Sequence, residues 1–544
     1  MRPGLTQRRR QASAIPSIQT VRIPAPIGIN SVSGAADMGA GDCLYLYNMV
    51  SGEYGLRART GYREWVTELT GADANTTRSM LPFTGSLSNG SRNRLFAATS
   101  SGLWDCTSST SSPSLSHTFT TTSNKAGWGT AHTVVAGSGG HYLFYADEEN
   151  GLLRWDESAG AWAVPTITGV SASAIVFVTV WKNRLFMVEK DTAKAWYLAA
   201  GAVQGAATSL NFAQRFKAGG HLVGLWSWTY DGGGGIDDAL VAVSSGGDVA
   251  IYQGTDPDNA DLFGLKGVWQ LGAVPAGRRL ALETGGDLLL LSTTGALPIS
   301  KLVVGGAAFS GQYATAKIAN LYQQLMAAHR DKWGWAMYLH PGDNAVIVTV
   351  PKNGEEANSE QLAMSLATGG WSRYRDLPIT SGCVWNGDFY FGTADAGDTE
   401  ARVCRGFDYL DNVTLANPNS YTAVGWSFLS RFSNLGAPTQ KRIELIRPVI
   451  LSQQTLPAVQ SVARYDYNIS EPAAPSGTGT GGGSGSWDEH TWDSAVFGDE
   501  YTPARLLQGA TGMGRDIAVA VRGKAASLTV LVGVDVMFNS GGLL

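Results

Sequence analysis

The chain has 544 residues, with 40 Lys and Arg against 45 Asp and Glu, for a net charge of -5. That balance excludes a protein whose main task is gripping nucleic-acid phosphates, which takes an excess of basic residues. Apolar residues make up 44% and charged residues 16%, which excludes disorder over the bulk of the chain and provides a core for two to four domains at roughly 150 residues each.

Glycine is the outlier in composition, at 68 residues beside 17 Trp and 19 Tyr, where ~7% glycine is usual. Many turns combined with many aromatics suit short strands joined by tight connections, so the expected class is all-β.

In chain order, residues 1–22 open as a basic arm with Arg2, Arg8, Arg9 and Arg10 and no acidic residue among the first ten. No apolar run follows, so it does not read as a secretory signal. It is a candidate docking arm for an acidic partner, or a solvated tail. Residues 23–79 are short extended pieces broken by Pro and Gly, expected to pack on the rest of the chain.

From residue 80 to 412 a hairpin unit recurs. "SRNRLFAATSSGLWDCTS" (91–108) places Leu95-Phe96 and Leu103-Trp104 on either side of a Ser-Ser-Gly turn. "ENGLLRWDESAGAW" (149–162) sets Leu152-Leu153 and Ala161-Trp162 around a tip carrying Asp156 and Gly160. Further arms follow at Leu185 to Val188 with Ala195 to Leu198, Leu240 to Val243 with Val249 to Tyr252, and Leu288 to Leu291 with Ala296 to Ile299. Segments 343–374 and 382–409 repeat the scheme with longer turns. A single hairpin is marginal in water, so each unit needs neighbours to cover it. A repeat of about 45 residues is the mark of propeller blades. The expectation is a β-propeller of about six or seven blades, with two packed β-sandwiches as the alternative.

One segment breaks the β pattern. "QYATAKIANLYQQLMAAHRDKW" (312–333) spaces Ile318, Leu321, Tyr322, Leu325 and Met326 as one face of a helix,. His329 falls near that face and reads as a packed or rim histidine.

Residues 413–544 change rhythm and are expected to form a C-terminal β domain from "YTAVGWSFLSRF", "KRIELIRPVILSQQ", "AVQSVARYDYNI" and "SLTVLVGVDVMF". A Gly-rich loop, 472–486, interrupts it. No run approaches the ~18 apolar residues of a membrane span. The longest apolar runs, such as "AIVFVTVW" (174–181), have strand length.

Motifs for chemistry are weak. "GTGTGG" (Gly477 to Gly482) matches the dinucleotide fingerprint in letters only, because no helical period follows it,. "DPDNAD" places Asp256, Asp258 and Asp261 together, but Ala260 and Asp261 stand where a calcium loop needs an oxygen ligand and a glycine,. It reads as a capped turn. Cys43, Cys106, Cys383 and Cys404 lie far apart with no CxxC pair, which predicts buried thiols and synthesis in a reducing cytoplasm. No P-loop, zinc motif or nucleophile elbow occurs, so no catalytic, metal or cofactor residue is assigned. A glycosidase needs only two converging carboxylates, which sequence alone cannot locate. Trp487 and Trp492 beside the Gly-rich loop are candidates for stacking on sugar rings or for closing the domain.

Several stretches taken together resemble a known family. "IPAPIGINSVSGAADMGAGDCLYLYNMVSGEYGLRARTGY" (23–62), "VAIYQGTDPDNADLFGLKGVWQLGAVPAGRRLALETGGDLLLLSTTGALPISK" (249–301), "YQQLMAAHRDKWGW" and "LATGGWSRY" are similar to the tail nozzle, or tail tubular, proteins of short-tailed bacteriophages. Ile29 and Cys43 depart from that pattern, which favours Gly and a small residue there. The resemblance implies a structural virion protein that is not an enzyme and carries no cofactor. It implies a homohexameric ring below the portal and its adaptor, contacting tail fibre or needle proteins and passing double-stranded DNA transiently. The virion tail is then the expected location. A receptor- or carbohydrate-binding tail-tip propeller, or a glycan-degrading enzyme, are the competing readings.

Overall fold

The computed structural model describes residues 18–70, 76–121, 126–134, 139–231, 236–259, 261–305, 310–351, 360–393, 401–406, 409–436, 438–452, 457–477 and 502–540. The basic arm with Arg2, Arg8, Arg9 and Arg10 lies outside these residues, as do Trp487, Trp492 and most of the Gly-rich loop.

The hairpins assemble into a β-propeller whose units start at Ser79, Trp128, Ile175, Leu222, Ala281, Ala336 and Ile379. Six are separate sheets, and the one from Ala336 to Tyr374 continues into a larger C-terminal sheet. They are called blades 1 to 7 in chain order. The first strand of each faces the axis. Neighbouring blades meet there in sequence, and Ile379–Trp385 of blade 7 returns to Ser79–Phe83 of blade 1, which closes the ring.

The hairpin at 149–162 shows how a blade is covered. Strands Gly151–Asp156 and Ala161–Ala163 pair with Trp155 opposite Trp162. Gly160 sits at φ +61, a conformation that costs glycine little, and its N–H donates 2.8 Å to the carbonyl of Asp156. Both indoles bury against Phe96 of blade 1, at ring-centroid distances of 4.8 and 5.1 Å. The aromatic that ends the arm therefore seals one blade to the next.

Blade 5 departs from the expected scheme. Its last strand stops at Pro298 (Ala296–Pro298), and Ile299 begins a helix, α1 (Ile299–Gly305), that buries Ile299 and Leu302. The inserted helix read from the sequence is α2 (Ala319–His329), which buries Tyr322, Leu325 and Met326. His329 is half-buried in its last turn, and its carbonyl accepts from the Trp335 indole at 2.9 Å.

The N-terminal strands do not form a unit of their own. Strand Tyr62–Leu69 is the outermost strand of blade 7, antiparallel to Ala401–Gly406. Gln19–Pro24 pairs with Thr529–Ser540 near the other end of the chain. Asp42–Tyr47 pairs with Thr422–Ser430 on one side and touches Arg373 of blade 6 on the other. A ten-stranded and an eight-stranded sheet result, sharing a core that includes Trp426, Phe428, Ile446, Val521 and Val536. Strand Ile517–Ala525, which sequence reading did not single out, lies inside the larger sheet between Thr422–Ser430 and the edge strand Ala458–Tyr465. Among the described residues no helix is long and apolar enough to cross a membrane.

Candidate functional site

Among the described residues, two concave places that carry charge stand out. The first is the weld between propeller and C-terminal sheets. Arg59, fully buried, donates to both carboxylate oxygens of Asp411 at 2.8 and 2.6 Å. Its other donors reach Asn48 Oδ1 and the carbonyls of Thr60 and Arg375. The next residue but one is Gly61, where a Cβ would sit 2.1 Å from the Leu410 carbonyl, so the chain passes this point only as glycine. Burial raises the Asp411 carboxyl, and Arg59 pulls it back.

Beside the weld, a cleft of about 490 Å³ lies between blade 6 and the hairpin Met49–Gly52 with Gly55–Ala58. Tyr54 stands exposed at its rim. On its floor Arg57 pairs with Asp343 at 3.1 Å, and Asp343 also accepts from Thr60 and from the Tyr374 hydroxyl. His340 Nδ1 accepts the Asp343 backbone N–H at 3.1 Å, and burial pushes this imidazole below its ordinary value. Arg57 and Asp343 are paired inside the protein, which is the pattern of a structural network, while Glu53 is exposed on the lining of the cleft,.

The second place is the propeller axis. The stretch "GRRLAL" enters blade 5, and its two arginines diverge. Arg278 is paired with Glu148 and donates 2.6 Å to the Val223 carbonyl, tying blade 5 to blades 2 and 4. Arg279 turns to the axis instead. Its Nε, Nη1 and Nη2 donate to the carbonyls of Gly127, Gly382 and Met80, at 3.2, 3.2 and 3.1 Å. Trp128 and Tyr338 lie 5.8 and 5.9 Å from its guanidinium carbon, within cation–π range. One side chain thus reaches blades 1, 2, 6 and 7.

A cavity of about 240 Å³ opens above it, walled by Pro82, Leu282, Met337, Leu339 and Val384. Cys383 also lines it, its thiol pushed up to about 12 by burial, with Arg279 drawing it down. A thiol held so high is protonated at neutral pH and is no nucleophile. Among the described residues no Asp, Glu or His lines this cavity, so the carboxylate pair of a glycosidase is not met there.

The remaining sequence candidates resolve into structure. Asp256 and Asp258 are capped by Arg184 of blade 3 at 2.7 and 3.4 Å, and Tyr197 donates 2.7 Å to Asp258. Asp261 donates its N–H to Asn259 in the same turn. Among the described residues no group of three or more His, Cys, Asp and Glu could hold a metal. Cys43, Cys106 and Cys404 are buried, and no cysteine is in a disulfide. The Gly477 to Gly482 run lies, beyond its first residue, outside the described residues. Sequence reading did not single out Arg278 and Arg279. Two adjacent charges inside an apolar stretch were the available signal.

No family model and no curated protein matches the chain. Among solved structures it is similar to BBS1N in complex with ARL6DN, at 10% identity, TM-score 0.38, over 64% of this chain and 98% of that one. It is also similar to the extracellular domain of a putative hybrid two-component system from B. thetaiotaomicron, at 11% identity, TM-score 0.36, over 65% and 45%. A third is an exo-beta-1,3-galactanase from Phanerochaete chrysosporium with galactose, at 8% identity, TM-score 0.23, over 75% and 95%. Likenesses this distant say nothing about function, and the propeller rests on the strand pairing itself.

Proposed function

We propose that the chain is a structural, non-enzymatic virion protein, the nozzle of a short-tailed phage, which joins copies of itself into a ring below the portal and adaptor and lets genomic DNA leave through the shared lumen. The observation that carries this reading is where the family-like N-terminal phrase lies. Residues 23–62 supply strands Asp42–Tyr47, Met49–Gly52 and Gly55–Ala58 of the C-terminal sheets and lead directly into the strand that closes blade 7. A phrase used as a clamp makes propeller and C-terminal sheets one rigid body, which suits a wedge repeated around a ring.

The axis of the propeller also bears on the conduit. A cavity of about 240 Å³ floored by Arg279 cannot admit a duplex whose major groove alone is about 12 Å wide. On this reading the lumen lies between copies, in a homohexamer. Net acidity keeps the passing DNA weakly held.

Native mass spectrometry of the full chain, expressed alone and together with an adaptor-ring protein, tests this. A closed oligomer of identical copies in either preparation supports the proposal. A monomer in both rejects it and moves the tail-tip receptor-binding reading forward.

A further inference from the structure

We propose that the axial cavity of the propeller is a binding site for a small carboxylate carrying an apolar body. Such a site needs no ring of copies to form. Arg279 is 8% exposed, and among the described residues no carboxylate pairs with it; its three hydrogen-bond acceptors are neutral carbonyls. A buried cation held only by neutral dipoles retains a large part of its desolvation cost. The neighbouring Arg278 has Glu148 for the same purpose, so the missing partner is specific to the axis.

The donor inventory indicates what fits. A guanidinium has five N–H groups. Three are used, one on each nitrogen, which leaves one on each Nη. One spare N–H on each of the two Nη atoms suits a carboxylate, whose two oxygens can each accept one. A phosphate dianion would call for more charge than one arginine supplies.

The walls define the rest of the ligand. Pro82, Leu282, Met337, Leu339 and Val384 present hydrocarbon, and Pro82 and Val384 are exposed at the mouth. The floor is aromatic, with Trp128 and Tyr338 beside the cation. An anion enters with its charged end inward and its apolar body against the walls, the usual division of labour in a ligand pocket. Trp128 is half-buried on the floor and serves as an internal reporter.

The test uses octanoate as the probe, octanol as its uncharged counterpart, and the full chain. Tryptophan fluorescence and calorimetry follow the titration of wild type, Arg279→Gln and Val384→Trp. Octanoate is expected to bind wild type with one site per chain. Octanol is expected to bind about tenfold or more weaker, the loss of a charge-assisted pair. Arg279→Gln should lose octanoate binding by a similar factor. Should that variant fail to fold, because Arg279 ties several blades, Val384→Trp decides: it fills the mouth without touching the guanidinium and should abolish binding. The proposal is overturned if wild type does not bind octanoate at millimolar concentration, if octanol binds as well as octanoate, or if Val384→Trp binds as wild type does.

Discussion

Arg59 at the weld and Arg279 on the axis are both buried guanidinium groups, and their surroundings differ in one respect. Arg59 has a bidentate carboxylate and a protein acceptor for every donor. Arg279 has three carbonyls, two aromatic faces and a cavity. The first arrangement is closed and has the character of a rivet between the N-terminal strands and the short strand Leu410–Asp411 that follows blade 7. The second holds the blades together and still leaves donor capacity toward open space. Burial alone therefore does not distinguish a structural charge from one available to a ligand; the count of satisfied donors does.

The largest expected effect is at the rivet. Arg59→Met strands the Asp411 carboxylate in the interior and should cost about 3–5 kcal/mol, read as a shift in the denaturant midpoint. Adding Asp411→Leu should recover much of it, because the stranded charge is gone. Arg279→Met leaves no carboxylate behind, only carbonyls at the edge of a cavity, and should cost less, about 1–3 kcal/mol. Equal losses at the two sites would remove the distinction drawn between them.

The weld should also respond to acid. His340 has its pKa lowered by burial, so the folded state favours the neutral ring. Its contribution is fully present above the unfolded value of about 6.5 and is lost as pH falls below it, at no more than about 1.4 kcal/mol per pH unit. Protonation would also sacrifice the bond that Nδ1 accepts from Asp343. Unfolding curves between neutral and mildly acidic pH should show that decline, and His340→Gln should flatten it if the variant folds. An unchanged slope in a folded variant would place the acid response elsewhere.

The smallest effect is expected at a site resembling neither arginine. Arg184 bridges blade 3 to Asp256 and Asp258, which are 36% and 52% exposed. Arg184→Ala should cost no more than about 1 kcal/mol by thermal unfolding. A loss as large as that at Arg59 would mean that the blade rim, rather than the weld, holds the fold.

The middle strands of the blades were legible in the sequence because two apolar arms around a Gly or Ser turn form a local signal. Leu95-Phe96 with Leu103-Trp104 and Trp155 opposite Trp162 are instances, and α2 was legible through its spacing. Blade 5 departs from the pattern at one point: Ile299 continues an apolar arm in sequence, yet it starts α1, and the sheet has only three strands. The inner strand Trp128–Val134 mixes polar and apolar residues, whereas that of blade 3, Ile175–Trp181, is nearly all apolar and buried, so the inner position carries no single sequence pattern. The pairing of Gln19–Pro24 with Gly533 to Phe538 joins segments more than 500 residues apart, and nothing local in either encodes it. The axial site was hidden for the same reason. Arg279 could be seen as a charge in an apolar stretch, but the carbonyls of Met80, Gly127 and Gly382 meet it only when the ring closes.

If the chain is the proposed nozzle, DNA passes between copies and not through any one propeller. Class averages from cryo-electron microscopy of the assembled full chain test it most directly. The account predicts a closed ring with a central opening of about 20 Å or more, wide enough for a duplex, surrounded by propellers whose own axes are plugged. Particles without a central opening, or a ring too narrow for a duplex, would contradict it.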